Sequence, residues 1–383
     1  MNIALLYGGR SGEHEVSINS AKGVYPALTN LGHCVYLIAI TLEGRWFWQK
    51  QREIATTLET TYPITVVPGE GLFCEGEPLS LDAAFAVTHG FGGEDGNLQG
   101  LCMLAKLPLC GCAVLSSAIG MHKDIASRLF ALEGIPTVPS HPLDTQDIQW
   151  LEGGCGAPPS WISGKKVPGT IEDRWSEACL TLQQRLGPSL FIKPEDSGSS
   201  LGVSALRSPT GQTFKVAVRE AKRHSPRVLV QTLIGPMDEL ECALLETGGG
   251  QLVVAGPALV VDPGKQSNHF LSYTYKYSQA DSAYLQLPSS YPENVEQHIR
   301  EYAKQAFRAI RGEGYARIDF FVSGNTIYLN EINTSPGMTS KSHFPLLMAH
   351  AGYPMEQVLQ TLIDHALERK QEETLRTYRP PGE

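Results

Sequence analysis

Residues 316–333, ARIDFFVSGNTIYLNEIN, predict two β-strands joined by a short polar turn. Successive side chains of a strand point to opposite faces of a sheet. Arg317 and Asp319 therefore share one face of the first strand, and Glu331 and Asn333 share one face of the second. If an odd-numbered loop closes the two strands into a hairpin, Asp319 faces Glu331 and Arg317 faces Asn333.

This hairpin predicts a metal site, because two facing carboxylates repel each other unless a cation lies between them. Oxygen ligands from Asp, Glu and Asn are the ones that Mg²⁺ takes, and the ion completes its octahedron with waters and substrate phosphates. The pattern therefore also predicts a phosphate-bearing substrate. An exposed polar face on an ordinary antiparallel hairpin is the alternative, and the hairpin alone does not separate the two interpretations.

A second phosphate-binding feature is predicted in residues 191–202, FIKPEDSGSSLG. Lys193 lies at the end of a short apolar strand, and a loop of small residues follows it, whose backbone N–H groups can approach phosphate oxygens closely. A flexible surface loop is the alternative. The sequence has neither the G-x-x-x-x-G-K-[ST] pattern nor a G-x-G-x-x-G after a strand, so we expect a different nucleotide-binding architecture.

The composition indicates a folded protein of more than one domain. Its 383 residues predict two or three domains, and 42% hydrophobic with 19% charged residues is ordinary for a globular chain. A formal net charge of -9 without a dense Lys/Arg block argues against nucleic acid and anionic lipid as partners. The sequence shows no apolar stretch typical of a membrane span and no signal-peptide pattern. Eight cysteines without a C-x-x-C pair favour reduced thiols and a cytoplasmic location.

The order of apolar runs and turn residues predicts how the chain is divided. An apolar run closing on Gly8-Gly9, followed by a helix and then by further strand and helix patterns, predicts a parallel sheet. A strand running into Gly235-Pro236 suggests a hinge. The charged tail from Glu368 onwards is expected to fray. The predicted domains are residues 1–111, 112–231 and 232–383.

Four blocks of sequence resemble those of a known family: GGRSGEHEVS (8–17), HGFGGEDGNLQG (89–100), RIDFF (317–321) and LNEINTSPG (329–337). In this order they are similar to the D-alanine–D-alanine ligase family of the ATP-grasp superfamily, and the resemblance extends from residue 4 to about residue 348. It implies a three-domain ATP-grasp fold of α/β and α+β type, with an N-terminal parallel α/β domain. ATP would bind between the central and C-terminal domains with two Mg²⁺ ions, for which Mn²⁺ is a substitute.

The activity that the resemblance implies has two steps. The carboxylate of one D-alanine attacks the γ-phosphate of ATP, which gives an acyl phosphate and ADP. The amine of a second D-alanine then displaces phosphate and forms the dipeptide used in peptidoglycan precursors. The implied partners are these small molecules, and homodimers are common in the family.

The resemblance also implies residues for the nucleotide and metal sites. Asp319, Glu331 and Asn333 match the family's magnesium ligands, which agrees with the facing carboxylates of the hairpin. The positions that match ATP ligands are Lys123 and Lys193 on the phosphates, Ser200 in the covering loop, Gln231 at the adenine hinge and Glu239 on the ribose. Gln231-Thr232 replaces a more usual acidic pair at that hinge.

The remaining matches concern the two amino-acid substrates. Glu13 would hold the ammonium of the first D-alanine, with the histidine that lies near this substrate at His89; an acid favoured by a helix dipole and a structural histidine are the alternatives. Arg317 and the backbone N–H of Gly337 would donate to the tetrahedral oxyanion. Ser342 would contact the carboxylate of the second substrate.

A mobile loop near residues 268–282 is the last element that the resemblance implies. Within it, Lys276 and Tyr277 would close over the site, and Tyr277 would connect through Ser199 to Glu13. The Lys-Tyr pair resembles ligases that use D-alanine, rather than D-lactate, as the second substrate. Leu271 departs from the family pattern, since many members carry tyrosine there.

Three other functions are compatible with parts of the sequence. Another carboxylate–amine ligase of the same superfamily would be separated from the first interpretation by a panel of amino acids. A nucleotide-binding regulatory module would bind ATP without forming ADP, although the full set of matched acids and cations argues against it. An oxidoreductase built on the Gly8-Gly9 turn is disfavoured because the dinucleotide-binding fingerprint is missing.

Overall fold

A computed structural model of the chain describes residues 1–51, 53–55, 57–162, 169–261 and 284–376. Within these ranges the chain forms four β-sheets, and helices cover them. None of the described helices combines the length and the apolar character that crossing a membrane requires.

The N-terminal sheet has the strand order β3-β2-β1-β7, with β1 at Asn2–Gly8, β2 at Cys34–Ile40, β3 at Trp46–Gln49 and β7 at Ala83–Ala86. Strand β1 pairs in parallel with β2 and β7, as predicted, and β3 adds an antiparallel edge. Alternate residues of β1 pack toward α1 (His14–Asn30) on one face and α2 (Asn97–Leu104) on the other. Both faces are covered, which explains why β1 is a continuous apolar run.

A small antiparallel sheet lies beside this first unit, and its strands are β4 (Ile64–Val67), β5 (Gly71–Cys74) and β6 (Glu77–Pro78). These strands have two to four residues each. Such short segments carry too little alternation to be predicted from the sequence.

The central sheet is antiparallel and has the order β10-β9-β11-β8, with β8 at Ser140–Leu143, β9 at Ser189–Pro194, β10 at Ser204–Arg207 and β11 at Val228–Thr232. Its core is shared with α5 (Thr145–Leu151), α6 (Ile171–Leu186) and α7 (Gly211–Lys222). Asp144, Thr170 and Thr210 cap these three helices through side-chain oxygens. The sequence analysis did not identify these caps.

The C-terminal sheet has the order β14-β13-β12-β15-β16, with β12 at Asp238–Thr247, β13 at Gln251–Val261, β14 at Tyr284–Gln286, β15 at Tyr315–Ser323 and β16 at Thr326–Asn333. One face packs against α3 (Val114–Met121), α4 (Lys123–Leu132) and α8 (Glu293–Ala309). The helices α9 (His343–His350) and α10 (Met355–Thr374) complete the described chain. The tail predicted to fray from Glu368 is helical as far as Thr374, and its residues 377–383 lie outside the described part of the chain.

The hairpin of β15 and β16 differs from the prediction in its loop but not in its facing pairs. Ser323 pairs with Thr326, which leaves a loop of two residues instead of the expected odd number. A β-bulge then places the extra residue Asn330 opposite the step from position 319 to 320. Because the bulge shifts the register by one residue, Asp319 pairs with Glu331, and the arginine two residues before it pairs with Asn333, as predicted.

Leu362 tests the packing of α10 against the rest of the fold, since it is fully buried among residues of the N-terminal and C-terminal sheets. We expect Leu362→Ala to lower the free energy of unfolding by about 2–5 kcal/mol, because it leaves a cavity. Denaturant-induced unfolding measures the change. Leu375→Ala, at the end of the same helix and 85% exposed, is the control and should cost less than about 0.5 kcal/mol. Equal losses would contradict this packing.

Candidate active site

The predicted acidic face of the β15–β16 hairpin forms one connected network. Arg317 Nε and Nη2 donate to the two carboxylate oxygens of Asp319, each at 2.8 Å. Asn333 Nδ2 donates to Asp319 Oδ2 at 3.1 Å. Asp319 is only 2% exposed, which excludes the alternative of an exposed polar face at this position. The structure thus brings together the residues that the sequence analysis placed on this face.

Glu241 belongs to the same network, although the sequence analysis missed it. It lies on β12 directly opposite Asp319, and its Oε2 is 3.4 Å from Arg317 Nε. The carboxylates of Glu239, Glu241 and Asp319 have oxygens within 4.8 Å of one another. The signal in the sequence is the period-two spacing of Glu239 and Glu241, which puts both on one face of β12.

Electrostatics around these acids favour a cation. Burial raises the pKa of the Asp319 carboxyl to about 7, against the opposing charge of Arg317, and the nearby Glu241 and Glu331 raise this pKa further. Burial opposes the charge of Arg317, yet Asp319 and Glu241 raise the pKa of its guanidinium. The carboxylate and amide oxygens fit Mg²⁺, and this excess of negative charge is what a divalent ion would compensate.

Two lysines reach the acidic face from the central part of the chain. Lys123 Nζ, at the start of α4, donates to the carbonyl of Ser197 at 2.8 Å and lies 3.8 Å from Glu331 Oε2. Lys193, in β9, is 6% exposed, and burial lowers its pKa to about 8, while Glu331 favours its charged form. The two cations therefore lie where the phosphates of a metal-bound nucleotide would need them.

The Gly/Ser-rich loop contacts the N-terminal unit through Glu13. Ser199 Oγ donates to Glu13 Oε1, so the predicted Ser199–Glu13 contact is present. Ser199 and Ser200 both have left-handed backbone angles, with φ of 51° and 55°. A Cβ on Gly198 would lie 2.8 Å from Glu13 Oε2, so a larger residue at this position would displace the Glu13 carboxylate. Lys276, Tyr277, Leu271 and the predicted mobile loop lie outside the described residues.

His89 is held on both ring nitrogens. Nδ1 is 3.1 Å from the carbonyl oxygen of Ser335, and Nε2 is 3.1 Å from Ser20 Oγ. Burial lowers the pKa of His89, against the charge of Glu13, so a neutral ring with Nδ1 as the donor fits both contacts. His89 therefore has a structural role in joining α1 to the segment after β16, and it lies beside Glu13.

Glu94 is a second acid that the sequence analysis overlooked, although the quoted motif at 89–100 contains it. The backbone N–H of Gly90 donates to Glu94 Oε1 at 2.9 Å. Burial raises the pKa of Glu94 to about 8, and the charge of Glu13 adds to this shift. Buried acids with a strongly shifted pKa are common at functional sites.

Gly337 and Ser342 are neighbours in the segment between β16 and α9. A Cβ on Gly337 would lie 2.9 Å from Ser342 Oγ. The N–H of Thr339 donates to the same Oγ at 3.0 Å, and Ser342 is the N-cap residue of α9. On its other side the segment touches α1, where a Cβ on Gly23 would lie 2.8 Å from the carbonyl oxygen of Met338.

A cleft between the central and C-terminal sheets lies next to these charged groups. Its polar lining residues are Gln231, which is 5% exposed, and Thr232. The other lining residues are apolar: Val138, Phe191, Leu233, Ile234, Met237 and Phe321. An apolar cleft with a few polar groups suits the flat ring of a nucleobase. Glu239 follows the cleft on β12.

Comparison with known proteins identifies the family. The model described as D-ala D-ala ligase N-terminus matches residues 2–112, and the one described as D-ala D-ala ligase C-terminus matches residues 167–364. The chain belongs to the D-alanine–D-alanine ligase family. A D-alanine–D-alanine ligase of Bradyrhizobium sp. (strain BTAi1) is 35% identical over 381 residues, covering 96% of this chain and 95% of the relative.

Solved structures of the D-alanine–D-alanine ligase family share the fold. The D-alanine–D-alanine ligase from Coxiella burnetii superposes with a TM-score of 0.76 at 30% identity, covering 98% of this chain and 97% of the other. The VanG D-Ala:D-Ser ligase from Enterococcus faecalis gives a TM-score of 0.76 at 28% identity, with coverage of 95% and 99%. The chain therefore has the predicted ATP-grasp fold.

The raised pKa of Glu94 predicts how stability depends on pH. The folded-state pKa of about 8 lies above the unfolded value of about 4.3. The stabilisation that comes from protonated Glu94 is therefore fully present below the unfolded value and is lost as the pH rises through 8. We expect the melting temperature to fall over this window, and to fall less in Glu94→Gln. Thermal unfolding at a series of pH values measures this, with Glu15→Gln, an exposed acid of α1, as the control. Parallel profiles for the wild type and Glu94→Gln would contradict the shift.

Proposed function

We propose that the protein joins two D-alanine molecules into D-alanyl-D-alanine with ATP, as a step in peptidoglycan precursor synthesis. One observation carries this proposal: Lys123 Nζ, at the start of α4, approaches Glu331 Oε2 at 3.8 Å, so a cation suited to a phosphate lies at the acidic face. The family match and the contact of Ser199 with Glu13 support the proposal that the amino-acid substrates bind close to this point.

The nucleotide would lie between the central and C-terminal sheets. Its adenine would occupy the apolar cleft at Gln231, and Glu239 would accept hydrogen bonds from the ribose hydroxyls. Lys123 and Lys193 would bind the phosphates, with Ser200 in the loop that covers them. Positive charge there offsets the charge that moves onto the leaving phosphate during transfer.

Asp319, Glu331 and Asn333 would hold two Mg²⁺ ions, with Mn²⁺ as a substitute. When bound, these ions would neutralise phosphate charge and orient the γ-phosphate. The support for this assignment is the oxygen-only donor set and the raised pKa of Asp319, since burial of several acids together favours a cation among them.

In the first step, Glu13 would hold the ammonium of the first D-alanine near His89, so that its carboxylate faces the γ-phosphate. Attack would form the acyl phosphate and release ADP. Burial raises the pKa of Glu94 and so favours its neutral form, and we assign the contact with the ammonium to Glu13.

In the second step, the amine of the second D-alanine would attack the acyl phosphate. Arg317 and the N–H of Gly337 would donate to the oxyanion, and donors of this kind are worth about 3–4 kcal/mol each. Ser342 would contact the carboxylate of the second substrate. Lys276 and Tyr277 would close over the acyl phosphate, with Tyr277 connected through Ser199 to Glu13, because water would otherwise hydrolyse the intermediate.

Three further assignments belong to this proposal. We assign domains to residues 1–111, 112–231 and 232–383, because the three larger sheets follow one another along the chain. We assign a cytoplasmic location, where ATP is available. We assign a homodimer, supported by exposed apolar residues where α2 meets α3, namely Met103, Leu104, Val114 and Leu115.

A substrate panel tests the activity. With ATP and Mg²⁺ we expect D-alanine to give phosphate and D-alanyl-D-alanine in equal amounts, measured by a phosphate assay and mass spectrometry. D-Serine and D-lactate, offered with D-alanine, test the second site, and the D-Ala:D-Ser relative makes D-serine the pertinent competitor. ATP binding without ADP formation for any of them would favour the regulatory module instead.

Glu331→Gln tests the metal assignment. Because the amide removes one negative ligand while keeping the shape, we expect turnover to fall by about 1,000-fold or more, with the melting temperature changed little. Steady-state rates over a range of Mg²⁺ concentrations measure the effect. Glu301→Gln, on the exposed side of α8, serves as the control and should keep wild-type activity. Wild-type turnover in Glu331→Gln would refute the assignment.

A further inference from the structure

One oxygen atom of Glu241 contacts two residues that come from different parts of the site. Oε2 lies 2.8 Å from Nδ1 of His343 and 3.4 Å from Nε of Arg317. Glu241 is 3% exposed. Burying a carboxylate costs free energy unless it is paired with a cation or a hydrogen-bond donor. These two contacts therefore stabilise Glu241 and fix the positions of the two side chains.

The two partners carry different parts of the proposed reaction. Arg317 is the proposed donor to the oxyanion. His343 is the first residue of α9 and directly follows Ser342, the proposed contact of the second substrate's carboxylate. Because Nδ1–H of His343 donates to Glu241, the start of α9 is attached to the same carboxylate as the arginine.

We infer that Glu241 and His343 are positioning residues that set the second-substrate end of α9 relative to Arg317. The inference rests on the proposed ligase function and adds two residues to it. Asp319 also accepts hydrogen bonds from Arg317, but it is a proposed metal ligand, so a bound ion would compete with Arg317 for its carboxylate. Glu241 is thus the second carboxylate that contacts the guanidinium of Arg317. Its hydrogen bond with His343 connects the guanidinium to α9, the helix that would contact the second D-alanine.

Kinetic variants of the full-length protein test this inference. Initial rates over a wide range of D-alanine concentration, fitted to two successive sites, give kcat and the KM of each D-alanine. We expect His343→Ala to raise the KM of the second D-alanine about 5–10-fold and to leave that of the first within about twofold. His343→Gln can still donate to Glu241 and should recover most of the loss. Glu241→Gln should raise the same KM and also lower kcat about tenfold.

A matched pair on the same strand provides the control. Glu246, also on β12, contacts His365 of α10 with Oε2 and Nε2 3.1 Å apart. Glu246→Gln and His365→Ala remove the same kind of interaction away from the site, and both should leave kcat and each KM within about twofold. Circular dichroism and melting temperatures of all variants report whether the fold is kept.

The outcomes separate three explanations. Unchanged KM values in His343→Ala, or equal increases for both D-alanines, would overturn the positioning role. An increase of more than about tenfold in the Mg²⁺ concentration needed by Glu241→Gln would overturn it in favour of a metal ligand. If Glu241→Gln does not fold, the two His343 variants still test the positioning role. The His343 side chain is 26% exposed, so we expect these variants to fold. A wild type that makes no dipeptide would instead overturn the proposed function.

Discussion

Repulsion between buried carboxylates is the constraint on which the rest of the site depends. Strand order places β12, β15 and β16 side by side, and the acids Glu241, Asp319 and Glu331 consequently lie on adjacent strands. Such a group is stable only with cations close by. Arg317 supplies one from within the sheet, Lys123 supplies one from the start of α4, and Lys193 supplies one from β9. The proposed metal ions would complete this balance of charge, and the triphosphate of the proposed nucleotide would bind among these groups.

Much of this arrangement was predictable because strands have a period of two. That period alone puts Arg317 with Asp319 and Glu331 with Asn333, whatever the surrounding fold. The loop length was not predictable, because a bulge at Asn330 and an even loop give the same facing pairs as an odd loop without a bulge. Sequence spacing fixes which side chains share a face of a strand, and the pairing between strands fixes which residues of the neighbouring strand they contact.

The contacts that sequence reasoning missed are those between distant segments. Glu241 meets His343, and His89 meets Ser335, only because the chain returns to the same place after many intervening elements. No local pattern encodes such a return. The resemblance to a known family did indicate the contact between Glu13 and Ser199, since a family motif carries information from the folded state of its members.

The contact between Ser199 and Glu13, with the bond between His89 and Ser335, has a consequence for how the protein becomes active in the cell. Synthesis delivers Glu13 first and Ser342 only near the end, and domains tend to fold in the order in which they leave the ribosome. The core of the N-terminal unit includes residues of α9 and α10, so its packing is complete only after these last helices have been synthesised. A chain that ends just before β16 would keep Glu241 and Asp319 but lack Glu331 and Asn333. Such a truncated product would carry an incomplete acidic face, and we expect it not to consume ATP.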